Sequence, residues 1–265
     1  MGAVRGFLSF LLDCLIPRSC LVCGRGVGSF DPAAVPAASC ATGRMEEFLD
    51  SELRMPLLVG ISVSADVLCT GCWSRLEPAR GVGFLARPSV SAQNVPIVSP
   101  FYTNDELLEL VRFIKFSGGR SAVPALGWWM AAALGDYLAR LPTWDAFAPL
   151  LVPIPLHPKR EKQRGYNQAA LLAHEVAERL GLEVDSGILA RTRNTKAQST
   201  LESYARAENV EGAFSLMRQD LVNSRNIIIV DDLITTGETA LACVASLLES
   251  SPSSVTVLSA GRAPS

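Results

Sequence analysis

The sequence predicts an α/β protein with a parallel sheet at its centre and a small cysteine-containing domain at its N-terminus. Short aliphatic runs such as Ile227–Val230 alternate with segments whose apolar residues recur at helical spacing. Strands that lack polar alternation are buried on both faces, as in parallel sheets covered by helices. Four of the seven cysteines also form two C-x-x-C pairs before residue 73, ahead of the α/β pattern.

Composition excludes several classes of protein. The chain has 265 residues, which allows one large or two smaller domains, and its hydrophobic fraction of 49% excludes a disordered chain. A net charge of −2 gives no overall basic surface for nucleic acid, although a local basic patch stays open.

The N-terminal apolar stretch Gly6–Pro17 is too short to cross a bilayer, which takes about 20 residues, and it contains Asp13. Stable membrane insertion is therefore not expected. The helical spacing of its apolar residues favours a short amphipathic helix over an export signal. We accordingly expect a cytoplasmic protein.

Four helices and three strands are predicted in the main domain. The first helix follows a capping box at Thr103–Glu106 and buries Leu107, Leu110, Val111 and Ile114. The other helices are expected near 126–141, near 169–180 with an end at Gly181, and near 241–248. The strands are expected at 150–152, 226–230 and 255–258.

The composition also suggests domain boundaries. Residues 1–77 form the helix and cysteine domain, whose inserted segment contains a Pro-rich loop at Ser29–Gly43. Residues 78–96 are small and polar enough to be a linker, and residues 97–265 form the α/β domain.

The two cysteine pairs, Cys20 with Cys23 and Cys69 with Cys72, have the spacing of zinc knuckles. A closed site of four thiolates would hold structural Zn²⁺, since no coordination position is left for water. A disulfide, a redox dithiol and the absence of a joint role are the open alternatives. The 45 residues between the pairs indicate an insertion, with Cys14 and Cys40 as substitute ligands, whereas Cys243 fits a helix core.

The richest motif follows the strand 226–230. Asp231 and Asp232 are expected at the carboxyl edge of the sheet, where adjacent carboxylates suit two vicinal hydroxyls. The turn Thr235–Thr239 then enters a helix whose N-terminus suits phosphate, and Gly237 permits close approach of the backbone. The alternative is that these residues have only structural roles, since two acids at the end of a strand and a threonine that caps a helix are each common. A P-loop is a poor alternative, because no lysine follows the glycine at the required position.

This motif resembles the phosphoribosyl diphosphate (PRPP) signature of type I phosphoribosyltransferases. With the segments 152–169 and 191–214 and the cysteine pairs, the chain resembles the ComF family over nearly its whole length. That family joins an N-terminal zinc ribbon to a Rossmann-like phosphoribosyltransferase domain. The resemblance implies a PRPP site made of nine consecutive residues, which are Asp231, Asp232, Leu233, Ile234, Thr235, Thr236, Gly237, Glu238 and Thr239.

The resemblance also implies a pyrophosphate loop after the strand 150–152, with Leu156, His157, Lys159, Arg160 and Arg164 as its residues. A hood spanning Arg193–Arg206 would close over PRPP and bring Arg193, Lys196 and Gln198 to the leaving group. Asp231, Asp232, Arg193 and Lys196 are the implied catalytic residues. Each cation has an alternative as a solvated surface charge.

The implied reaction replaces the pyrophosphate of PRPP with an unidentified nitrogen acceptor, with Mg²⁺ on the pyrophosphate and ribose oxygens. Family resemblance implies a link to DNA uptake in competence. The alternatives are a non-catalytic PRPP sensor and an adaptor that contacts the DNA-uptake machinery.

Overall fold

The structure, a computed structural model, describes residues 19–25, 27, 67–86, 90, 94–116, 120–141, 148–193 and 212–264. The first strands are β1 (Gly83–Leu85), β2 (Val95–Val98), β3 (Phe101–Tyr102), β4 (Leu150–Pro153) and β5 (Glu183–Val184). They are followed by β6 (Leu189–Arg191), β7 (Phe214–Leu216), β8 (Asn226–Ile234) and β9 (Ser254–Arg262). The helices are α1 (Thr70–Trp73), α2 (Asp105–Phe116), α3 (Val123–Ala139), α4 (Pro158–Arg164), α5 (Gln168–Leu180) and α6 (Glu238–Leu248).

The main sheet has the order β1-β2-β9-β8-β4-β5, with β3 also paired to β9. All of its pairings are parallel except that of β1 with β2. Strands β6 and β7 form a separate antiparallel pair. The predicted α/β class with a central parallel sheet is therefore confirmed.

Alternating side chains of the central strands enter two cores, one on each face of the sheet. Ile228 and Val230 pack in the core that contains the buried faces of α2, α3 and α5. Ile227 and Ile229 pack in the opposite core with α6. The aliphatic run that predicted this strand thus reflects burial on both faces.

The helices follow the predicted apolar faces, with differences at their ends. Leu107, Leu110, Val111 and Ile114 are all buried in α2, as predicted. Helix α3 starts earlier than predicted and ends at Ala139, and α5 ends at the left-handed Gly181. Helix α4 was not predicted, because it has no buried residue and hence no apolar periodicity.

The predicted capping box of α2 is replaced by a simple cap one residue later. The Asn104 side chain accepts a hydrogen bond from the Leu107 N–H at 3.1 Å, and the helix begins at Asp105. Glu106 forms an ion pair with Arg75 at 2.5 Å. The ion pair with Arg75, a residue distant in the chain, explains why the local pattern was misleading.

Strand β8 extends to Ile234, whereas the sequence predicted that it ends at Val230. Its pairing with β4 does stop at Val230, but its pairing with β9 continues as far as Ile234 opposite Arg262. The strand is longer because β9 is also longer than predicted. Asp231 and Asp232 therefore lie beyond the end of β4 but within the β8–β9 ladder.

The segment 78–96, which the sequence predicts to be a linker, contributes to the main sheet. Its β1 pairs with β2, and β2 pairs with β9. Pro78 forms a bridge with Phe101, and the Ala79 N–H donates to the Pro100 carbonyl at 2.9 Å. Domain boundaries at 77 and 97 remain a prediction, but the described part of this segment packs against the α/β domain.

The cysteine-containing segment shares a core with the α/β domain. Cys72, Trp73 and Leu76 are buried in the same cluster as α2 and α3. The Trp73 and Trp129 rings lie 6.3 Å apart between centroids. The predicted helix at 6–17 and the loop at 29–43 lie outside the described residues. Within the described residues, every helix is too short or too polar to span a membrane.

We expect the cap at Asn104 to contribute measurably to stability. Asn104→Ala removes both the bond from the Leu107 N–H and the bond from the Asn104 side chain to the Arg75 carbonyl. The free energy of unfolding in urea should fall by about 0.5–2 kcal/mol. Asn104→Asp keeps the cap and loses the second bond, so its loss should be smaller. An equal loss in both variants would contradict the assignment of Asn104 as the cap.

Candidate functional site

The two loops that follow β4 and β8 meet at a switch point of the sheet. From β4 the chain passes through α4 and α5 to β5 on one side, and from β8 it passes through α6 to β9 on the other side. Ligands of open α/β sheets bind where such connections diverge, outside the carboxyl ends of the strands. The position between β4 and β8 is therefore the candidate site.

Asp232 lies at the centre of a buried polar network. The Lys115 ammonium lies 2.9 Å from Oδ1 of Asp232, and the Gln168 amide donates to Oδ2 at 2.8 Å. Gln168 in turn accepts from the Arg164 guanidinium at 2.9 Å. Asp232 is only 5% exposed, so these contacts compensate for the loss of water around its carboxylate. The network holds α2, α5 and the end of β8 together.

Asp231 points to the opposite face of the strand. It follows Ile227 and Ile229 in the alternation of β8, which places it on the side of α6. Its Oδ1 accepts from the Asp232 backbone N–H at 2.8 Å. Burial and the neighbouring Asp232 carboxylate raise the pKa of Asp231 to about 7. The two adjacent acids thus differ in environment, which a sequence motif cannot show.

The turn after β8 requires a glycine at position 237. Gly237 has φ of +76° and is the residue before α6. A Cβ there would lie 2.2 Å from Cδ2 of Leu85 in β1, so both the backbone conformation and the space require glycine. Thr235 and Thr236 are exposed, and Glu238 and Thr239 are half-buried. Leu233 and Ile234 belong to the strand rather than to the turn.

The cations of α4 lie in the segment that follows β4. The His157 side chain accepts from the Lys159 N–H at 3.2 Å and so caps the helix. Arg160 and Arg164 are half-buried, whereas Lys159 is exposed and Leu156 is half-buried. Burial lowers the pKa of Arg164, while the Asp232 charge opposes that shift. The structure therefore brings Arg164 to Asp232 through Gln168, and the charge of Arg160 acts on Arg164 and Arg191.

Three residues of the site were not assigned roles from the sequence, namely Lys115, Gln168 and Arg191. Arg191 lies in β6, is 9% exposed and has its guanidinium 5.3 Å from the Phe214 ring centre. Burial, followed by the charge of Arg160, lowers the pKa of Arg191, and Asp231 counteracts this. Gln168 and Arg191 stand in the motifs that suggested the family, but only the fold shows their partners.

The predicted hood is described only at its beginning. Arg193 is exposed just after β6. Lys196, Gln198 and Arg206 lie outside the described residues. Their predicted approach to a leaving group remains a prediction.

The four predicted metal ligands come together despite the 45 residues between the pairs. The sulfur atoms of Cys20, Cys23, Cys69 and Cys72 all lie within 4.8 Å of one another. The Cys23 and Cys69 sulfurs are 3.6 Å apart. A tetrahedral zinc site with Zn–S bonds of 2.3 Å has sulfurs about 3.8 Å apart, so this donor set could hold a zinc ion. Cys14 and Cys40 lie outside the described residues.

The electrostatics of the cluster also favour a cation. Burial opposes ionisation of Cys20, but hydrogen bonds from the backbone N–H groups of Cys69, Cys23 and Val22 lower the pKa of Cys20 to about 6. Burial and the other cysteines raise the pKa of Cys72. One thiolate therefore forms easily, but the negative charge of further thiolates would repel it. A divalent cation bound between the sulfurs would remove this repulsion. Cys243 is a buried core residue of α6, as predicted.

We expect Asp231 to make the protein less stable as the pH rises. Its pKa is raised from 3.8 to about 7 on folding. The protonated form of Asp231 therefore contributes fully to stability below pH 4, and this contribution is lost as the pH rises from 4 through 7. Asp231→Asn should remove this loss. The free energy of unfolding of the variant should therefore increase relative to that of the natural chain as the pH rises from 4 to 7. Urea unfolding across that range measures the difference. Asp220→Asn, which removes an exposed carboxylate, is the control, and equal pH profiles for Asp231→Asn and the natural chain would contradict the assignment.

The chain is similar in sequence to proteins named for DNA use and competence. It is 32% identical over 151 residues to the DNA utilization protein YhgH of Escherichia coli K12, which covers 57% of this chain and 65% of that protein. It is 37% identical to competence protein F of Haemophilus influenzae over 34% of this chain and 39% of that protein. Identity to competence protein ComFC of Bacillus subtilis is 40%, over 38% of each chain. The matches thus span less than two thirds of each of these relatives.

No family model matches the chain. Among solved structures, the allosteric regulatory enzyme of purine biosynthesis overlaps 53% of this chain and 26% of its own, with 20% identity and a TM-score of 0.33. A TM-score this low does not carry function from one protein to the other. The sequence relatives and the four clustered cysteines together support the predicted resemblance of this chain to the ComF family.

Proposed function

We propose that the chain binds PRPP with Mg²⁺ between the ends of β4 and β8 and transfers its phosphoribosyl group to a nitrogen acceptor, releasing pyrophosphate. The observation that carries the proposal is that acidic and basic side chains come together at one switch point of the sheet. Two carboxylates lie in the last part of β8 and a glycine turn follows it, and the half-buried arginines of α4 follow β4. PRPP carries vicinal hydroxyls between a phosphate and a pyrophosphate, which matches this arrangement.

The 5′-phosphate would lie at the turn Thr235–Thr239. The first N–H groups of α6 point outward there, and the helix dipole favours an anion. The left-handed Gly237 brings the backbone close to the phosphate. The threonine hydroxyls at 235 and 236 are exposed and can donate to its oxygens.

The ribose hydroxyls would lie over Asp231 and Asp232. Lys115 and Gln168 hold the Asp232 carboxylate in place, and each of its oxygens can still accept a second hydrogen bond. Asp231 meets the ribose from the other face of β8. Carboxylate oxygens are also ligands that Mg²⁺ prefers, so Asp231 suits a metal-bound ribose.

The pyrophosphate would lie along α4, with Arg160 and Arg164 as its cations and Arg191 approaching from β6. Arginine suits this role because its planar fork can donate two hydrogen bonds to one phosphate. Burial of Arg191 and Arg164 strengthens their attraction for an anion, since little water competes for the charge.

The reaction would proceed by displacement at the anomeric carbon. The bond from that carbon to the pyrophosphate oxygen breaks, and its electron pair leaves with pyrophosphate. The acceptor nitrogen forms the new bond and releases one proton to solvent. The residues of this chain position the reactants and neutralise the leaving charge. Bound Mg²⁺ would supply further neutralisation of the pyrophosphate.

A second candidate function follows from the names of the relatives, which point to competence and DNA use. In this alternative the chain is a PRPP sensor or an adaptor that contacts the DNA-uptake machinery. A sensor binds PRPP without releasing pyrophosphate, and an adaptor need not bind PRPP. Binding and turnover together therefore distinguish the three functions.

The proposed PRPP site predicts a binding defect that calorimetry can measure. The natural chain should bind PRPP with Mg²⁺ saturably, and Asp231→Asn/Asp232→Asn should weaken binding by about 100-fold or more, since hydrogen bonds to two charged groups are lost. The double variant Asp136→Asn/Asp220→Asn removes the same charge elsewhere and should bind normally. A natural chain that is folded and does not bind PRPP would refute the site. Pyrophosphate release in the presence of nucleobases then tests for catalysis.

We further propose that Cys20, Cys23, Cys69 and Cys72 bind one structural Zn²⁺. Cys69→Ser should lose the metal, and because metal binding is coupled to folding, it should lose stability as well. Metal content by mass spectrometry and urea unfolding give the two measurements. Cys243→Ala is the control, since a cavity in the core should lower stability with the metal retained. Full metal retention in Cys69→Ser would exclude the four-cysteine site.

A further inference from the structure

Phe116 is an exposed aromatic residue beside the proposed PRPP site. It is the last residue of α2 and is 73% exposed, more than any other large hydrophobic side chain in the described residues. The core face of α2 consists of Leu107, Leu110, Val111 and Ile114, and Phe116 lies half a turn away from Leu107 around the helix axis. Packing against the described residues of the core therefore does not explain an aromatic side chain at this position.

The surroundings of Phe116 connect it to Asp232 in two ways. Its chain neighbour Lys115 binds the Asp232 carboxylate at 2.9 Å. The Arg164 guanidinium lies 5.1 Å from the centre of the Phe116 ring, and Gln168 links Arg164 to Asp232 through two hydrogen bonds. Phe116 thus stands at the rim of the network that holds the proposed ribose-binding carboxylate.

We infer that Phe116 is an acceptor-binding residue, on whose ring a planar nitrogen heterocycle of the nucleobase type stacks next to the bound ribose. This inference rests on the proposed function and names the class of acceptor. Arg164 occupies one side of the ring, and the exposed remainder is large enough for a heterocycle to stack. A guanidinium on the far side of the ring fixes its orientation by a cation–π contact.

The neighbouring charges also bear on the acceptor. Arg164 is a cation, whereas the charge of Lys115 is compensated by Asp232, so a heterocycle with carbonyl or carboxylate groups is favoured over a cationic one. Its nitrogen loses a proton as the bond to the ribose forms, and nearby positive charge facilitates that loss. Stacking is tolerant of base identity, because every nucleobase presents a planar π-face.

The test compares ligands that differ only by the base. Ribose 5-phosphate, AMP and UMP are titrated calorimetrically with Mg²⁺ into the natural chain, Phe116→Ala and Phe116→Trp. In the natural chain at least one nucleotide should bind about 5- to 100-fold more tightly than ribose 5-phosphate. Phe116→Ala should bring this ratio near one and leave the affinity for ribose 5-phosphate unchanged. Phe116→Trp should retain the ratio and show fluorescence quenching by the nucleotide.

Met217→Ala is the matched control, because Met217 is 60% exposed and large but follows β7 in the separate strand pair. It should leave every affinity unchanged. If Phe116→Ala retains the natural ratio, or if neither nucleotide binds more tightly than ribose 5-phosphate, the role of Phe116 is overturned while the ribose site stands. If ribose 5-phosphate and PRPP both fail to bind the natural chain, the proposed function fails and this inference fails with it.

Discussion

The arrangement of the α/β domain depends on one buried carboxylate, that of Asp232. A carboxylate inside a protein is stable only when charge and hydrogen bonds replace its lost water. Here the partners that replace water are Lys115, which is 117 residues from Asp232 along the sequence, and Gln168, which is 64 residues from it. Loss of one partner would leave a charge buried without compensation, which is far more costly than loss of a surface pair. This requirement sets the positions of α2 and α5 at the end of β8.

Helix α2 connects the same network to the cysteine cluster. At its first turn, Glu106 pairs with Arg75, whose guanidinium also donates to the Cys72 sulfur at 3.2 Å. At its last turn, Lys115 binds Asp232. The four apolar residues between these ends are buried against a core that also contains Cys72 and Trp73. The described cysteine-containing segment is therefore packed against the α/β core, and one helix contacts both candidate sites.

The site also contains features that oppose stability. Asp231 is half-buried beside a second acid, so its ionised form is disfavoured in the folded chain. The turn at Gly237 requires a left-handed backbone and lies against Leu85. Conflicts of this kind are expected at sites that bind charged ligands, because a ligand or metal supplies the missing partner. The edge strand β1, which comes from the segment predicted as a linker, shapes this turn.

The sequence by itself determined the class of fold, the central strands, the apolar faces of the main helices and the grouping of the cysteines. These features depend on local patterns, namely aliphatic runs, helical periodicity and C-x-x-C spacing, which are visible within a few residues. Tertiary structure alone decided which residues meet Asp232, why Arg191 lies near Asp231, how far β8 extends and that β1 joins the sheet. Those features depend on contacts between residues distant in the chain, and neither Lys115 nor Arg191 carries a local signal of its partner. The opposite placement of Asp231 and Asp232 has the same cause, since the chain pattern shows two equal acids and only the packed faces of the sheet make them different.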